Sequence, residues 1–330
     1  MTARTEQRTL SFSKAINEAL HQEMERDDSV FIIGEDVAKM GGDFGITSGI
    51  WAKWPKRAKD TALSESAIIG LCCGASVCGL RPVAELMFAD FAGVCFDQIV
   101  NNAAKLRYMY NGLAGAQMVI RAVTGAGIRC AYHHSQAVES WFMNIPGLVI
   151  VAPSTAYEAK GLLISAIRDN NPVLFLEHKM LYNTKAAVPE ENYAIPLYQA
   201  DVVQQGSDVT IVAAMTMVEC ARQAAKQLEQ EHISCEIINP RTLFPLDKET
   251  ILDSVAKTGR LVIAQEGPKV MGYGAEIGAM IAEDVFEYLK APIKRVTSLG
   301  VPVPFAPNLE DYILPKPEYI VHAVKEALEF

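Results

Sequence analysis

The sequence has no run of the ~18–20 consecutive apolar residues that a membrane helix needs. It has no dense basic stretch, and its formal net charge is -9. Both features argue against nucleic acid or an anionic membrane as the main partner. The opening "MTARTEQRTLSFSKAINEAL" lacks an apolar core of signal-peptide length, so a cytoplasmic location is expected. Seven cysteines, an odd number, carry no metal-ligand spacing and form no C-x-x-C pair; reduced, buried thiols are the plain reading.

What is present is globular: 330 residues, half of them hydrophobic and 21% charged. That length suits two domains better than one core. "SVFIIGED", "RPVAELMF", "AQMVIRAV", "GLVIVAPS" and "PVLFLEHKML" read as strands, separated by helical stretches such as "KAINEALHQEMERD" and "TAYEAKGLLISAIRDNNP". "DFAGVCFDQIVNNAAKLRYMY" reads as one long helix. The alternation predicts an α/β fold, a mostly parallel sheet flanked by helices. The period is lost over 182–200, rich in proline and polar residues, and then a second α/β unit begins with "DVTIVAA". The expected organisation is a first domain over 1–181, a linker over 182–200 and a second domain over 201–330.

Several segments could carry chemistry. Glu65 opens "SESAIIG", a helix start at which Ser64 is the expected cap. It either complements the helix dipole or is a buried carboxylate of raised proton affinity that bonds a heteroaromatic ligand nitrogen. Phe88, Phe91 and Phe96 are either core or an aromatic wall for a planar ring. His133 and His134 follow the Gly-rich "VTGAGIRC", where solvent access and proton transfer are open to them. Adjacent positions make joint metal chelation poor geometry. "SAIRDNNP" ends a helix with exposed carbonyls, where a cation could sit or where the helix simply stops. "GPKVMGYGAEIG" only loosely approximates a dinucleotide fingerprint, and close backbone approach at a helix start is the better reading.

Taken together, "IIGEDV", "DTALSESAIIG", "GLRPVAELMFADFAGVCFDQIVNNAAK", "HSQ", "NIPGLVIVAPSTAYEAKGLL", "AIRDNNPV" and "RTLFPLD" resemble, in order, the β subunit of the thiamine-diphosphate-dependent component of 2-oxo acid dehydrogenase complexes. "KLRYMY", "EHKMLY" and "APIKRVTSLGVPVPFAPNLEDYILP" are most similar to acetoin dehydrogenase β subunits. The resemblance implies a transketolase-like pyrimidine-binding domain followed by a C-terminal domain. It implies that Glu65 hydrogen-bonds the aminopyrimidine of thiamine diphosphate. Proton sharing there favours the imino tautomer that can remove the thiazolium proton. Phe91 would stack on that ring, with Leu63 and Met87 lining its pocket. His134 would act near the substrate and a lipoyl arm. Carbonyls of Met118, Ala166, Ile167 and Asp169, with Asn171, would match a structural potassium site.

The family's diphosphate–magnesium motif, Gly-Asp-Gly followed by Asn, is absent, and "GGDFG" is not it. The resemblance therefore implies that an α subunit holds magnesium and half of the cofactor, in an α2β2 assembly on a lipoyl-bearing acyltransferase core. It departs from the family at Ala62-Leu63, where relatives read Pro-Ile, and at His133, where they read glutamine. The loop "KMGGDFGITSG" and the segment "AQEGPKVMGYGAEI" lean towards the pyruvate and branched-chain types. A 2-oxo acid is thus the rival substrate to acetoin. A non-catalytic assembly module, in which Glu65 only serves its helix, is the rival of another class.

Overall fold

The computed structural model describes residues 8–330, which fall into two compact units. One unit runs up to Val123 and resumes over Ile145–Leu197; the other takes Thr124–Asn144 and Tyr198–Phe330.

In the first unit, β1 (Thr9–Ser11) pairs antiparallel with β8 (Lys185–Ala187). The main sheet is built from β2 (Val30–Gly34), β3 (Ala58–Asp60), β4 (Arg81–Leu86), β5 (Val119–Thr124), β6 (Val149–Val151) and β7 (Val173–His178). Their order is β6-β7-β5-β4-β2-β3, with parallel pairing at β6–β7, β5–β4, β4–β2 and β2–β3. β5, β6 and β7 are buried at every residue, as expected of parallel strands covered on both faces. The chain steps outward from β2 to β3 and then returns past β2 to β4. In open α/β sheets such a reversal leaves a crevice at the carboxyl ends of the strands.

Two long helices of this unit pack on each other. Phe12–Arg26 is capped by Ser11, whose hydroxyl accepts from the Lys14 amide at 3.3 Å. Ala156–Arg168 is capped by Thr155, and Glu158 reaches back to the Ser154 amide at 2.8 Å. Between them the buried Lys160 ammonium bonds Glu18 at 2.6 Å and the carbonyls of Pro189, Glu190 and Glu191. Burial alone would raise the Glu23 carboxyl, but bonds from Arg168, Asn192 and Arg26 hold it below the ordinary range.

In the second unit, β9 (Asp201–Gln204), β10 (Val209–Ala213), β11 (Cys235–Asn239), β13 (Leu261–Pro268) and β14 (Lys294–Ser298) form a sheet of order β14-β13-β10-β11-β9. It is parallel except at β9. A short β12 (Thr242–Phe244) follows β11. Helices Thr216–Glu229 and Pro317–Leu328 close one face over a core of Val209, Ile211, Ile237, Val262, Ala221 and Ile320.

Three expectations need correction. The segment 182–200 is not a free linker: β8 is paired, the Ile195 amide bonds the Gly161 carbonyl, and Lys160 gathers three carbonyls from 189–191, so the first unit extends to Leu197. By its contacts Thr124–Asn144, within the expected first domain, groups with the second unit, whose carboxylates bond its backbone. The long helix expected over 90–110 is broken into a 3₁₀ turn Ala89–Gly93, a π-helical stretch Gln98–Ala103 and a short α-helix Leu106–Met109. There the Ala104 amide bonds the Ile99 carbonyl five residues back, while Asn101 and Asn102 bond Asp97 and Gln98 through their side chains.

Candidate functional site

The reversal at β2 brings together residues that lie far apart in the chain. Gly34 pairs with Asp60 in register, and the Thr61 amide donates to the Gly34 carbonyl at 2.9 Å. Glu35, the next residue after β2, and the turn leading to Glu65 therefore leave the sheet side by side. Glu65 is the first residue of helix Glu65–Val77 and is half-buried. Ser64 occupies the cap position, but its side chain makes no capping bond, which corrects that expectation.

Glu35 is buried, and its carboxyl is pushed up by burial first and then by the charges of Glu65, Asp36 and Asp43. Glu35 lies in "IIGEDV" and was not among the residues expected to carry chemistry. Its signal is an acidic residue directly after an apolar strand, where it can only point from the strand end.

The neighbouring β4 ends in the aromatic group. Phe88 is buried core, Phe91 is half-buried, and Phe96 is 39% exposed, so one of the three joins the core and the other two reach the surface. Phe91 lies edge-on to Phe88 at 5.9 Å, and Phe88 lies edge-on to Phe44 at 6.1 Å. Met87 is half-buried at the same strand end, whereas Leu63 is 83% exposed beside Glu65.

Beneath this edge lies a buried charge network that sequence reasoning missed. Arg121 of β5 is bidentate to Glu177 of β7, at 2.6 and 2.9 Å, and also bonds Glu85 of β4. The Tyr182 hydroxyl donates to Glu177 at 2.9 Å, and its ring meets Phe44 at 5.1 Å. One guanidinium serves two carboxylates, and burial, opposed by Arg121, leaves the Glu85 carboxyl raised.

The expected potassium ligands are gathered in part. The Ile167 and Asp169 carbonyls both accept from Arg81 Nη1, at 3.0 and 2.7 Å. The Met118 carbonyl accepts the Val173 amide, and the Asn171 side chain turns back to Asp169 Oδ1 at 2.9 Å. Nothing in these bonds engages the Ala166 carbonyl. A cation at this cluster is thus already supplied, at two of its oxygens, by Arg81.

In the second unit, His133 and His134 lie on a loop closed at its base by two bonds to the Gln136 carbonyl, from the Gly125 amide at 3.3 Å and Thr124 Oγ1 at 3.0 Å. The rings of His133 and His134 meet edge-to-face at 4.2 Å; His133 is exposed and His134 half-buried. The loop is braced from its own unit. Glu266 accepts the Ala126 amide at 2.7 Å and Glu310 the Gly127 amide at 2.8 Å. The glycine-rich turn 272–274 in this unit is a close backbone approach, as read from sequence. The Gly274 amide bonds Gln265 at 2.8 Å, and a Cβ on Gly272 would fall 1.7 Å from the Gln265 amide nitrogen.

Comparison with known proteins places these two units. Residues 8–185 match the transketolase pyrimidine-binding domain and residues 198–320 the transketolase C-terminal domain. The chain is 49% identical to the β subunit of acetoin:2,6-dichlorophenolindophenol oxidoreductase of Cupriavidus necator, with 98% of each chain covered. It is 44% identical to the 2-oxoisovalerate dehydrogenase β subunit of Bacillus subtilis, covering 97% of this chain and 99% of that one. A solved split-gene transketolase, an inactive β4 tetramer, shares the fold with a TM-score of 0.81 at 23% identity, over 97% of this chain and 98% of its own. The strand-end carboxylates and aromatics thus sit in a pyrimidine-binding domain, and the chain belongs to the transketolase-like β subunits of the acetoin and 2-oxo acid dehydrogenases.

Proposed function

We propose that this chain is the β subunit of a thiamine-diphosphate-dependent enzyme that cleaves acetoin and passes the acyl group to a lipoyl arm. The observation that carries the reading is the half-buried Glu65 at the head of its helix, whose charge reaches the buried Glu35 that follows β2, with the half-buried Phe91 on the turn that follows β4. When bound, thiamine diphosphate supplies the nucleophilic carbon and the electron sink for cleaving a bond next to a carbonyl. This chain's residues then have distinct tasks. Glu65 holds a proton against the pyrimidine ring nitrogen, and Glu35 beside it has a carboxyl raised by burial and by the charge of Glu65. Phe91 offers a ring face, and Leu63 and Met87 exclude water around it. His134 moves a proton on the substrate side.

The cofactor is shared with an α subunit that holds magnesium, in an α2β2 heterotetramer on an acyltransferase core in the cytoplasm; the missing Gly-Asp-Gly motif supports that division. Potassium at Met118, Ala166, Ile167, Asp169 and Asn171 would share two carbonyls with Arg81. Acetoin is favoured by the 49% identity to an acetoin oxidoreductase subunit. A pyruvate or branched-chain 2-oxo acid enzyme is the second reading, favoured by the 44% identity to the 2-oxoisovalerate subunit. The test is acceptor-dye reduction by the chain reconstituted with its α subunit, thiamine diphosphate and magnesium. Acetoin, pyruvate and 3-methyl-2-oxobutanoate are offered in parallel. Reduction with acetoin alone is expected; preference for a 2-oxo acid overturns the substrate and keeps the chemistry.

A further inference from the structure

The loop that carries His134 is held in a conformation its own residues do not favour. Between its closed ends, positive φ recurs at every second residue: Gly125 at 84°, Gly127 at 109°, Arg129 at 64° and Ala131 at 58°. The first two are glycines, but Arg129 and Ala131 pay the steric penalty of their Cβ atoms. Such a backbone persists only where surrounding bonds over-determine it.

Those bonds come from far along the chain and converge just ahead of the histidines. Glu266 and Glu310 fix the Ala126 and Gly127 amides. Arg129, one of the strained residues, donates to Glu310 Oε2 at 2.6 Å, to Asp311 Oδ1 at 2.7 Å and to the Pro307 carbonyl at 3.2 Å. Glu310 is fully buried, so it ties two loop positions at once, the Gly127 amide and the Arg129 guanidinium. Without Arg129 its carboxylate keeps one amide and loses its cation. Asp311 is half-exposed and forms the outer, weaker part of the brace.

We infer that Arg129 is a positioning residue for His134: its clasp on Glu310 and Asp311 holds the strained 125–136 loop closed and thereby sets the histidine ring. The inference rests on the reading of His134 as the substrate-side proton carrier, but the clasp is measurable without turnover. Arg129 makes no contact with the reacting groups in this role. Loss of the clasp lets positions 129 and 131 relax to negative φ, which displaces the chain that leads to His134.

The test uses the full chain, with Arg129→Ala and Arg129→Lys variants. Amide hydrogen exchange over 124–136 is expected to speed at least 10-fold in Arg129→Ala, with exchange over β10 and β11 unchanged. Arg129→Lys, which keeps one charge but not the fork, is expected to fall between. The ring signals of His134 in histidine-labelled protein, assigned by their loss in His134→Gln, are expected to shift and broaden in Arg129→Ala. Asp311→Asn gives a milder version if Arg129→Ala fails to fold. Unchanged exchange over 124–136 overturns the clasp. Faster exchange with His134 signals unmoved overturns its positioning role. Should His134→Gln prove silent in the reconstituted enzyme, the proton-carrier reading falls, while exchange and ring signals still decide whether the clasp sets the ring.

Discussion

The two sets of candidate residues, one in each unit, are held in different ways. The carboxylate and aromatic half grows from the ends of β2, β3 and β4, where pairing of Gly34 with Asp60 and the Thr61 amide bond fix the exits of Glu35 and Glu65. The histidine half is a loop with four positive-φ residues, kept in place by carboxylates 140 and 183 residues away in sequence. A sheet edge positions side chains as a by-product of the fold. A strained loop needs its own restraints and yields when they are removed.

The largest effect should break the sheet-edge half. Glu65→Gln keeps the hydrogen-bonding shape but cannot shuttle a proton. Steady-state dye reduction in the reconstituted enzyme should fall by about 10²–10⁴-fold, with the melting temperature unchanged. His134→Ala should cost less, about 10²-fold at most. If the order were reversed, the loop rather than the edge would carry the chemistry.

Beneath the edge, Glu177→Gln removes one carboxylate from the Arg121 network and should lower unfolding stability by about 3–5 kcal/mol, the usual consequence of breaking a buried ion pair. Denaturant unfolding reads this directly. A loss under about 1 kcal/mol would mean that Glu85 alone neutralises Arg121.

A subtler change sharpens the comparison. Burial first, then the charges of Glu65, Asp36 and Asp43, raise the Glu35 carboxyl. Glu35→Gln should remove that raised carboxyl's contribution from the pH–rate profile, whereas His134→Ala should leave it in place. The raised Glu35 carboxyl also makes folding proton-linked. The folded state binds more protons, so stability falls as pH rises from the ordinary glutamate range through the raised value. Glu35→Gln should flatten that slope in melting curves taken across pH. Smallest of all, replacing sodium by potassium should raise the melting temperature by no more than about 2 °C, because Arg81 already serves the Ile167 and Asp169 carbonyls.

Much of the sheet-edge half was legible in the sequence. Apolar runs such as "VLFLEH" and "TIVA" mark parallel strands because both faces are buried, and a carboxylate at the head of a small-residue, apolar helix stands out. The helix over Glu65–Val77 began where expected, although Ser64 proved not to cap it. The rest depended on pairs distant in sequence. No local pattern joins Arg129 to Glu310, Arg121 to Glu177 or Arg81 to Asp169. The paired β8 was hidden in polar, proline-containing sequence because its partner is the three-residue β1 at the other end of the unit. The π-helical break at Gln98–Ala103 was hidden because its apolar spacing is close to that of an α-helix.

The most direct test of the central assignment is deuterium exchange at the thiazolium carbon of thiamine diphosphate bound to the reconstituted enzyme, in wild type, Glu65→Gln and His134→Ala. If the sheet edge activates the cofactor, Glu65→Gln slows this exchange by about 10²-fold or more and His134→Ala leaves it unchanged. Wild-type exchange in Glu65→Gln would contradict the assignment of Glu65 to the pyrimidine ring.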